Sequence, residues 1–199
     1  LKYVPKEKGI HTGTPIRAEL FTGDRQKGLE ACGFDGTKPV LLQMGGSLGA
    51  VKLNDALRES LPPLLKDFDI IHLCGKGHKE ESLEGIKGYR QFEYVTDGLA
   101  DLFAATDVII ARAGSNSISE FLALKKPHLL IPLSAKASRG DQILNAASYE
   151  KQGFAMVLPE EELTAATMEE KVRELYANRE TYIAAMEKST QNNGCLLYT

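Results

Sequence analysis

The chain has 199 residues, 43% of them hydrophobic, so it is long enough to bury one sizeable core and is expected to form one domain. Charged residues make up 26% and the formal net charge is -3, without the basic stripe of phosphate-tracking proteins, so nucleic acid is not predicted as a partner. No apolar run reaches the roughly 18 residues of a bilayer span, and Leu1 to Lys6 lack the apolar segment of a signal peptide.

Beyond Lys38 the chain alternates short apolar runs with helical patterns, whereas the earlier segment is rich in turn-forming residues. Strands that are apolar throughout and alternate with helices are typical of buried parallel strands joined by right-handed crossovers. The predicted fold is therefore α/β, an open doubly wound parallel sheet. Strands are predicted at 39–44, 69–74, 91–95, 107–111, 127–132 and 155–158. Helices are predicted at 51–65, 99–105, 117–125, 142–152 and 168–188, the first broken or kinked by Pro62-Pro63.

Three loops at the predicted carboxyl ends of the strands, where open parallel sheets bind ligands, have unusual sequences. The first is Gly45-Gly46-Ser47-Leu48-Gly49-Ala50. Its glycines permit close backbone approach and an anion-binding nest, Ser47 adds a hydroxyl donor, and the next helix adds the positive end of its dipole. The spacing matches neither a dinucleotide fingerprint nor a P-loop. The alternative, a tight turn, hardly needs three glycines, so phosphate binding is favoured.

The second loop is Arg112-Ala113-Gly114-Ser115-Asn116-Ser117-Ile118-Ser119-Glu120, which follows a buried strand and opens a helix. Unpaired amides at this helix start would face the same cleft as the first loop. Glu120 has two interpretations. Ser117 and Glu120 have the spacing of a capping box, which the pattern alone favours, whereas a carboxylate near a nucleotide can accept both ribose hydroxyls.

The third loop runs from Ser134 to Asn145 and again leads into a helix. Asp141, Gln142 and Asn145 place a carboxylate and two amides at its start, groups that suit the hydroxyls of a sugar. The alternative is that Asp141 caps the helix while Gln142 and Asn145 are solvated. The local sequence does not separate these two interpretations.

Arginine, cysteine and histidine positions carry weaker signals. Arg17 follows a turn and could pair a phosphate bidentately, although a lone surface arginine is usually solvated. No metal site is predicted, because no histidines, thiolates or carboxylates have the spacing of metal ligands. The histidines are expected to be structural or exposed; they are His11, His72, His78 and His128. Three distant cysteines without a C-x-x-C motif indicate reduced thiols in a cytoplasmic compartment; they are Cys32, Cys74 and Cys195.

Taken together and in this order, the loop motifs resemble the C-terminal, donor-binding domain of the MurG-type peptidoglycan glycosyltransferases, which have the GT-B fold. These enzymes add N-acetylglucosamine to undecaprenyl-linked muramoyl-pentapeptide. The resemblance runs from about His11 to Gly153 and includes Thr-Gly-Thr-Pro-Ile-Arg, Gly-Gly-Ser-Leu-Gly-Ala, Arg-Ala-Gly-Ser-Asn-Ser-Ile-Ser-Glu and Asp-Gln-Ile-Leu-Asn-Ala. It implies that residues 1–199 form a single UDP-sugar-binding domain, with the acceptor domain on an N-terminal segment outside this chain.

The resemblance also implies roles for individual residues. Arg17 and Ser47 would contact the diphosphate, with Gly46 beside them, and Val95 would meet uracil through its backbone. Glu120 would bind the ribose hydroxyls, and the nucleotide would be wrapped by Ser115, Asn116, Ser117, Ile118 and Ser119. The sugar would be read by Gln142, helped by Asp141 and supported by Asn145. Many family members carry Gln or His where Asp141 stands. No cofactor is implied, and the catalytic base would lie on the N-terminal domain.

The implied reaction is inverting transfer from UDP-N-acetylglucosamine to the C4 hydroxyl of a lipid-linked muramoyl group at the cytoplasmic face of the membrane. The full-length protein would be peripheral to that membrane. Two alternatives stay open from the sequence: the donor half of a glycosyl-diacylglycerol synthase, and a stand-alone nucleotide-sugar-binding subunit. The isolated chain is expected to bind donor but to turn over almost nothing.

Overall fold

The computed structural model describes residues 14–45, 51–134 and 140–189. Its centre is a six-stranded sheet in which every pair of neighbouring strands is parallel. The strands are β1 Val40–Met44, β2 Asp69–Leu73, β3 Tyr89–Phe92, β4 Val108–Ala111, β5 His128–Leu130 and β6 Ala155–Val157. Their spatial order is β3-β2-β1-β4-β5-β6, so the direction of winding reverses between β1 and β4. The predicted doubly wound fold is confirmed.

Helices cover both faces of this sheet. They are α1 Arg25–Cys32, α2 Val51–Leu64, α3 Leu99–Ala105, α4 Ser115–Ala123, α5 Asp141–Lys151, α6 Ala165–Ala177 and α7 Arg179–Glu187, with 3-10 helices at Ala18–Thr22, Glu81–Leu83 and Glu160–Glu162. Successive strand residues alternate between two cores, as the pleat requires. Leu41 and Ile110 pack with α2 and α6, whereas Leu42 and Ile109 pack with the helices of the opposite face. None of the helices in the described ranges combines the length and apolarity needed to cross a membrane.

The segment before β1, for which no element was predicted, contains a 3-10 helix and α1. Asp24 caps α1, because its carboxylate accepts from the backbone N–H groups of Gln26 (2.7 Å) and Lys27 (3.2 Å). Gly28 lets α1 approach α3 closely, since an added Cβ would lie 2.1 Å from the Asp101 carbonyl oxygen. Eight residues with an internal glycine give too weak a periodic pattern to reveal this helix.

Two predictions about helix continuity are wrong. The prolines at 62 and 63 do not break α2, which continues through both to Leu64, and Leu65 N still donates to Leu61 O at 2.9 Å. The predicted terminal helix at 168–188 is instead α6 and α7, separated at Asn178. The side-chain amide of Asn178 donates to the Glu174 carbonyl (2.9 Å) and so competes with continuation of the helix.

Candidate functional site

The carboxyl ends of β1, β4 and β5 lie side by side at the point where the winding reverses. Met44 at the end of β1 is in register with Ala111 of β4, and Ala111 is in register with Leu130 of β5. The three loops singled out in the sequence therefore start from adjacent positions on one edge of the sheet, as open α/β sheets require of a ligand cleft. Gly46 and Ser47, both predicted to contact phosphate, lie outside the described residues.

The start of α4 presents backbone amides to this edge. Gly114 is the N-cap and supplies no side-chain cap, and the first intrahelical bond runs from Ile118 N to Gly114 O. The amides of Ser115, Asn116 and Ser117 precede that bond, so they form the electropositive end of the helix. Ile118 differs from its neighbours, since its side chain is buried in the core. Its side chain therefore packs the helix against the sheet, and the remaining predicted residue of this stretch, Ser119, donates to Ser115 O (2.8 Å).

Glu120 does not form the capping box that its spacing favoured. The helix begins two residues before Ser117, so Ser117 occupies an interior position and cannot be the N-cap. The Glu120 carboxylate instead binds Arg17, 103 residues away in the chain. Arg17 Nε donates to Oε1 at 3.0 Å and Nη2 donates to Oε2 at 3.2 Å, a side-on bidentate pair.

The Arg17–Glu120 pair joins the two residues that the family resemblance assigned to the diphosphate and the ribose. The Glu120 side chain is 12% exposed and that of Arg17 is 49% exposed, so the pair lies at the surface with the carboxylate inward. The hydrogen bond to Glu120 raises the pKa of Arg17 further, and the exposed Tyr94 adds to the same effect. The alternative that Arg17 is only a solvated arginine is wrong. The loop containing Tyr94 and Val95 also lies on this side of the sheet, with Val95 partly buried against the core.

The two side-chain amides at the start of α5, those of Gln142 and Asn145, bond to the neighbouring loops rather than pointing into solvent. Gly140 is the N-cap in the left-handed conformation (φ 83°), so the alternative in which Asp141 caps the helix is wrong. Gln142 Oε1 accepts from Leu133 N at 3.1 Å. Asn145 Nδ2 donates to the Ala113 carbonyl at 3.0 Å. The alternative of two solvated amides is therefore also wrong, and α5 is tied to the loops that follow β4 and β5.

A buried ion pair beneath these loops was missed by the sequence analysis. Arg112, directly after β4, is 8% exposed, and its Nη2 contacts Glu160 Oε1. Its Nη1 donates to the Ile131 carbonyl at 3.0 Å. Glu160 also accepts from Ser134 N (3.3 Å) through Oε2, and its carbonyl accepts from Lys52 Nζ.

The electrostatic environment of Glu160 matches this arrangement. Burial alone would raise the pKa of Glu160, but the hydrogen bond and charge of Arg112, with Ser134 N–H and Lys52, lower it below its ordinary value. The carboxylate is therefore held ionised between two cations. No local signal in the sequence marks it, because Glu160-Glu161-Glu162 has the composition of a solvated turn. In the described ranges, no three histidine, cysteine or carboxylate side chains lie close enough to hold a metal ion.

Comparison with known proteins places this chain in a family. Residues 40–195 match the model of the glycosyltransferase family 28 C-terminal domain. The chain is 55% identical over 193 residues to the UDP-N-acetylglucosamine--N-acetylmuramyl-(pentapeptide) pyrophosphoryl-undecaprenol N-acetylglucosamine transferase of Lachnospira eligens, covering 97% of this chain and 54% of that protein. A Clostridium tetani protein of the same name is 55% identical over 194 residues, covering 98% of this chain and 54% of its own length.

Solved structures show the same fold. Acinetobacter baumannii MurG superposes with a TM-score of 0.71 at 22% identity, over 99% of this chain and 56% of that one. The glycotransferase of kitacinnamycin superposes with a TM-score of 0.73 at 19% identity, over 94% of this chain and 45% of that one. The chain thus spans about half the length of the curated relatives and of the solved structures that it matches.

Proposed function

Since the chain belongs to the C-terminal domain family of glycosyltransferase family 28, as its motifs indicated, we propose that it is the donor-binding half of a glycosyltransferase that uses UDP-N-acetylglucosamine. The observation that carries this proposal is the Arg17–Glu120 pair beside the N-terminus of α4. The pair would offer a cation to the diphosphate and a carboxylate to the ribose diol. Helix α4, which carries Glu120, follows β4 at the switch point of the sheet and would offer its N-terminus to the anion.

The nucleotide is proposed to bind without breaking the ion pair. Arg17 uses Nε and Nη2 for Glu120, so its Nη1 is available in this geometry to donate to a phosphate oxygen. Each Glu120 oxygen accepts one bond from Arg17 and retains capacity for a ribose hydroxyl. The amides of 115–117 would hold the diphosphate with Gly46 and Ser47, and the backbone of Val95 would meet uracil.

The sugar is proposed to lie against the start of α5. The Gln142 oxygen is bonded to Leu133 N, which orients the amide and leaves its N–H groups as donors for sugar hydroxyls. Asp141, exposed in the first turn, would accept from another hydroxyl. Asn145 is a supporting residue, because its amide holds the Ala113 carbonyl just before the N-cap of α4.

The proposed chemistry is inverting transfer of N-acetylglucosamine to undecaprenyl-pyrophosphoryl-muramoyl-pentapeptide, in peptidoglycan synthesis. Negative charge grows on the leaving UDP in the transition state, and Arg17 together with the α4 amides would stabilise it. The relatives are nearly twice as long as the segment matched here, so the acceptor and the catalytic base are proposed to belong to the half that this chain does not cover. The full-length enzyme would act at the cytoplasmic face of the membrane, where that acceptor is presented.

Thermal melts with nucleotides test the donor assignment. A ligand at 100 times its Kd stabilises the native state by about 2.7 kcal/mol, so saturating UDP should raise Tm by several degrees and ADP should not. UDP-N-acetylglucosamine should protect at lower concentration than UDP-glucose or UDP-galactose. Equal protection by ADP and UDP would refute the uridine site. Stronger protection by UDP-glucose or UDP-galactose would instead support the donor half of a glycosyl-diacylglycerol synthase.

A further inference from the structure

Glu160 contacts the chain segments that follow three different strands, although it lies far from all of them in sequence. It belongs to the 3-10 helix Glu160–Glu162 after β6, the edge strand, whereas β1 lies three positions away in the sheet. Its carboxylate binds Arg112 after β4 and Ser134 N after β5, and its carbonyl accepts from Lys52 in the first turn of α2. One residue therefore links the chain around all three candidate donor loops.

We infer that Glu160 is a positioning residue that, through Arg112, sets the position of the start of α4 relative to the chain that follows β5; this inference rests on the proposed function. Arg112 is two residues before Gly114, the N-cap of α4, so the carboxylate that fixes Arg112 also fixes where the α4 amides point. Arg112 in turn holds the Ile131 carbonyl (3.0 Å) at the end of β5. Glu160 itself need not touch the nucleotide sugar.

Removing the Glu160 carboxylate would have two physical consequences. The Arg112 side chain, 9% exposed, would be left as a largely buried cation without its counter-ion. Ser134 N would lose its bond to a carboxylate oxygen at the start of the third loop, and in Glu160→Gln it could bond only to a neutral amide oxygen, which accepts more weakly. Both changes act on loop geometry, and a misplacement of binding groups by about 1 Å is enough to cost about 100-fold in function.

The experiment compares UDP affinity with the stability of the unliganded protein. Glu160→Gln keeps the size of the side chain and removes its charge, and Glu161→Gln, on the exposed neighbour, is the matched control. We expect UDP affinity, measured by titration calorimetry, to fall about 10- to 100-fold in Glu160→Gln and to be unchanged in Glu161→Gln. Glu160→Asp, which keeps the charge but shortens the reach, should give an intermediate affinity and serves if the glutamine variant does not fold.

A double substitution separates positioning from simple stabilisation. Replacing a buried ion pair by apolar residues is often neutral or stabilising, so Arg112→Met with Glu160→Met should restore the Tm of the unliganded protein. Its UDP affinity should stay low, because the loops are no longer held by hydrogen bonds. Recovery of affinity together with Tm would show that Glu160 is merely structural and would overturn the inference, as would wild-type affinity in Glu160→Gln.

Amide hydrogen exchange makes the inference testable apart from donor binding. Glu160→Gln should speed exchange in the segments around Gly114 and Ser134 together, whereas Glu161→Gln should not. Exchange around Lys52, which bonds to the backbone carbonyl of Glu160, should stay as in the wild-type chain. If the wild-type chain did not bind UDP, the proposed function would fail, and the exchange result would still decide whether Glu160 holds the loops. Unchanged exchange around Gly114 and Ser134 would exclude the positioning role.

Discussion

Substitution of Arg17 by alanine should weaken binding of uridine as well as of UDP. If Arg17 contacted only the diphosphate, its substitution would leave the affinity for uridine unchanged, because uridine has no phosphate. In the structure, however, Arg17 holds both oxygens of Glu120 at 3.0 and 3.2 Å, and the carboxylate is 12% exposed. Without Arg17 the carboxylate loses the partner that orients it toward the ribose hydroxyls.

The magnitudes follow from the burial of the pair. Because Arg17 is half exposed, the pair should contribute only about 0–1 kcal/mol to the stability of the free protein, and Tm should change little. A hydrogen bond to a charged group contributes about 1.5–3 kcal/mol, so Arg17→Ala should reduce UDP affinity about 10- to 100-fold. The loss of uridine affinity should be smaller, about fivefold, since only the orientation of Glu120 is affected.

Titration calorimetry on Arg17→Ala, Glu120→Gln and the double variant completes a double-mutant cycle. The double variant should bind UDP about as weakly as the worse single variant, giving a coupling energy of about 1–2 kcal/mol. Lys27→Ala removes an exposed cation from α1 and is the control. The reasoning would be refuted if Arg17→Ala left uridine affinity unchanged and the double variant lost as much UDP binding free energy as the two single variants together. The two side chains would then act independently.

Three further outcomes are expected. Gly28→Ala should cost about 1–3 kcal/mol in urea denaturation, because its Cβ would lie 2.1 Å from a backbone oxygen of α3; a loss no larger than that of Lys27→Ala would contradict the packing. Burial lowers the pKa of His72 to about 3 and that of His128 to about 4, whereas a histidine in the unfolded chain has a pKa of about 6.5. As the pH falls below 6.5, the unfolded state therefore binds protons at these histidines and the folded state does not. The free energy of unfolding should therefore decrease by about 1.4 kcal/mol per pH unit for each histidine as the pH is lowered from 6.5 to about 4, and His128→Gln should make this decrease less steep. Gln142→Ala should weaken UDP-N-acetylglucosamine about tenfold and leave UDP unchanged in calorimetry; equal losses for both ligands would place Gln142 outside the sugar subsite.

The sheet was predictable because most of its strands contain runs of consecutive apolar residues. Runs such as Ile109-Ile110 have no polar alternation, so both faces of the strand must be covered, and the helices between them supply that cover. Local patterns failed where a single residue decides the outcome. The side chain of Asn178 bonds to the Glu174 carbonyl and competes with continuation of α6. Gly28 allows α1 to pack closely against α3, but a glycine inside the segment weakens the sequence pattern that would predict a helix there.

The candidate site was only partly predictable, because its defining contacts join distant parts of the chain. The spacing of Ser117 and Glu120 favoured a cap, yet the start of α4 is set by how the chain leaves β4, and Glu120 meets Arg17 across 103 residues. Glu160 lies in no recognisable sequence pattern. Its importance comes from its position after β6, the edge strand next to β5, from which its carboxylate reaches Arg112 after β4 and Ser134 after β5.

The polar groups at the start of α5 have different hydrogen-bonding capacities. Leu133 N–H bonds to the oxygen of Gln142, so this side chain has its two N–H groups left as hydrogen-bond donors for a ligand. Asp141, in the first turn, offers a carboxylate that can only accept. A sugar bearing fluorine in place of a hydroxyl, able to accept a hydrogen bond but not to donate one, would be tolerated beside Gln142 and rejected beside Asp141.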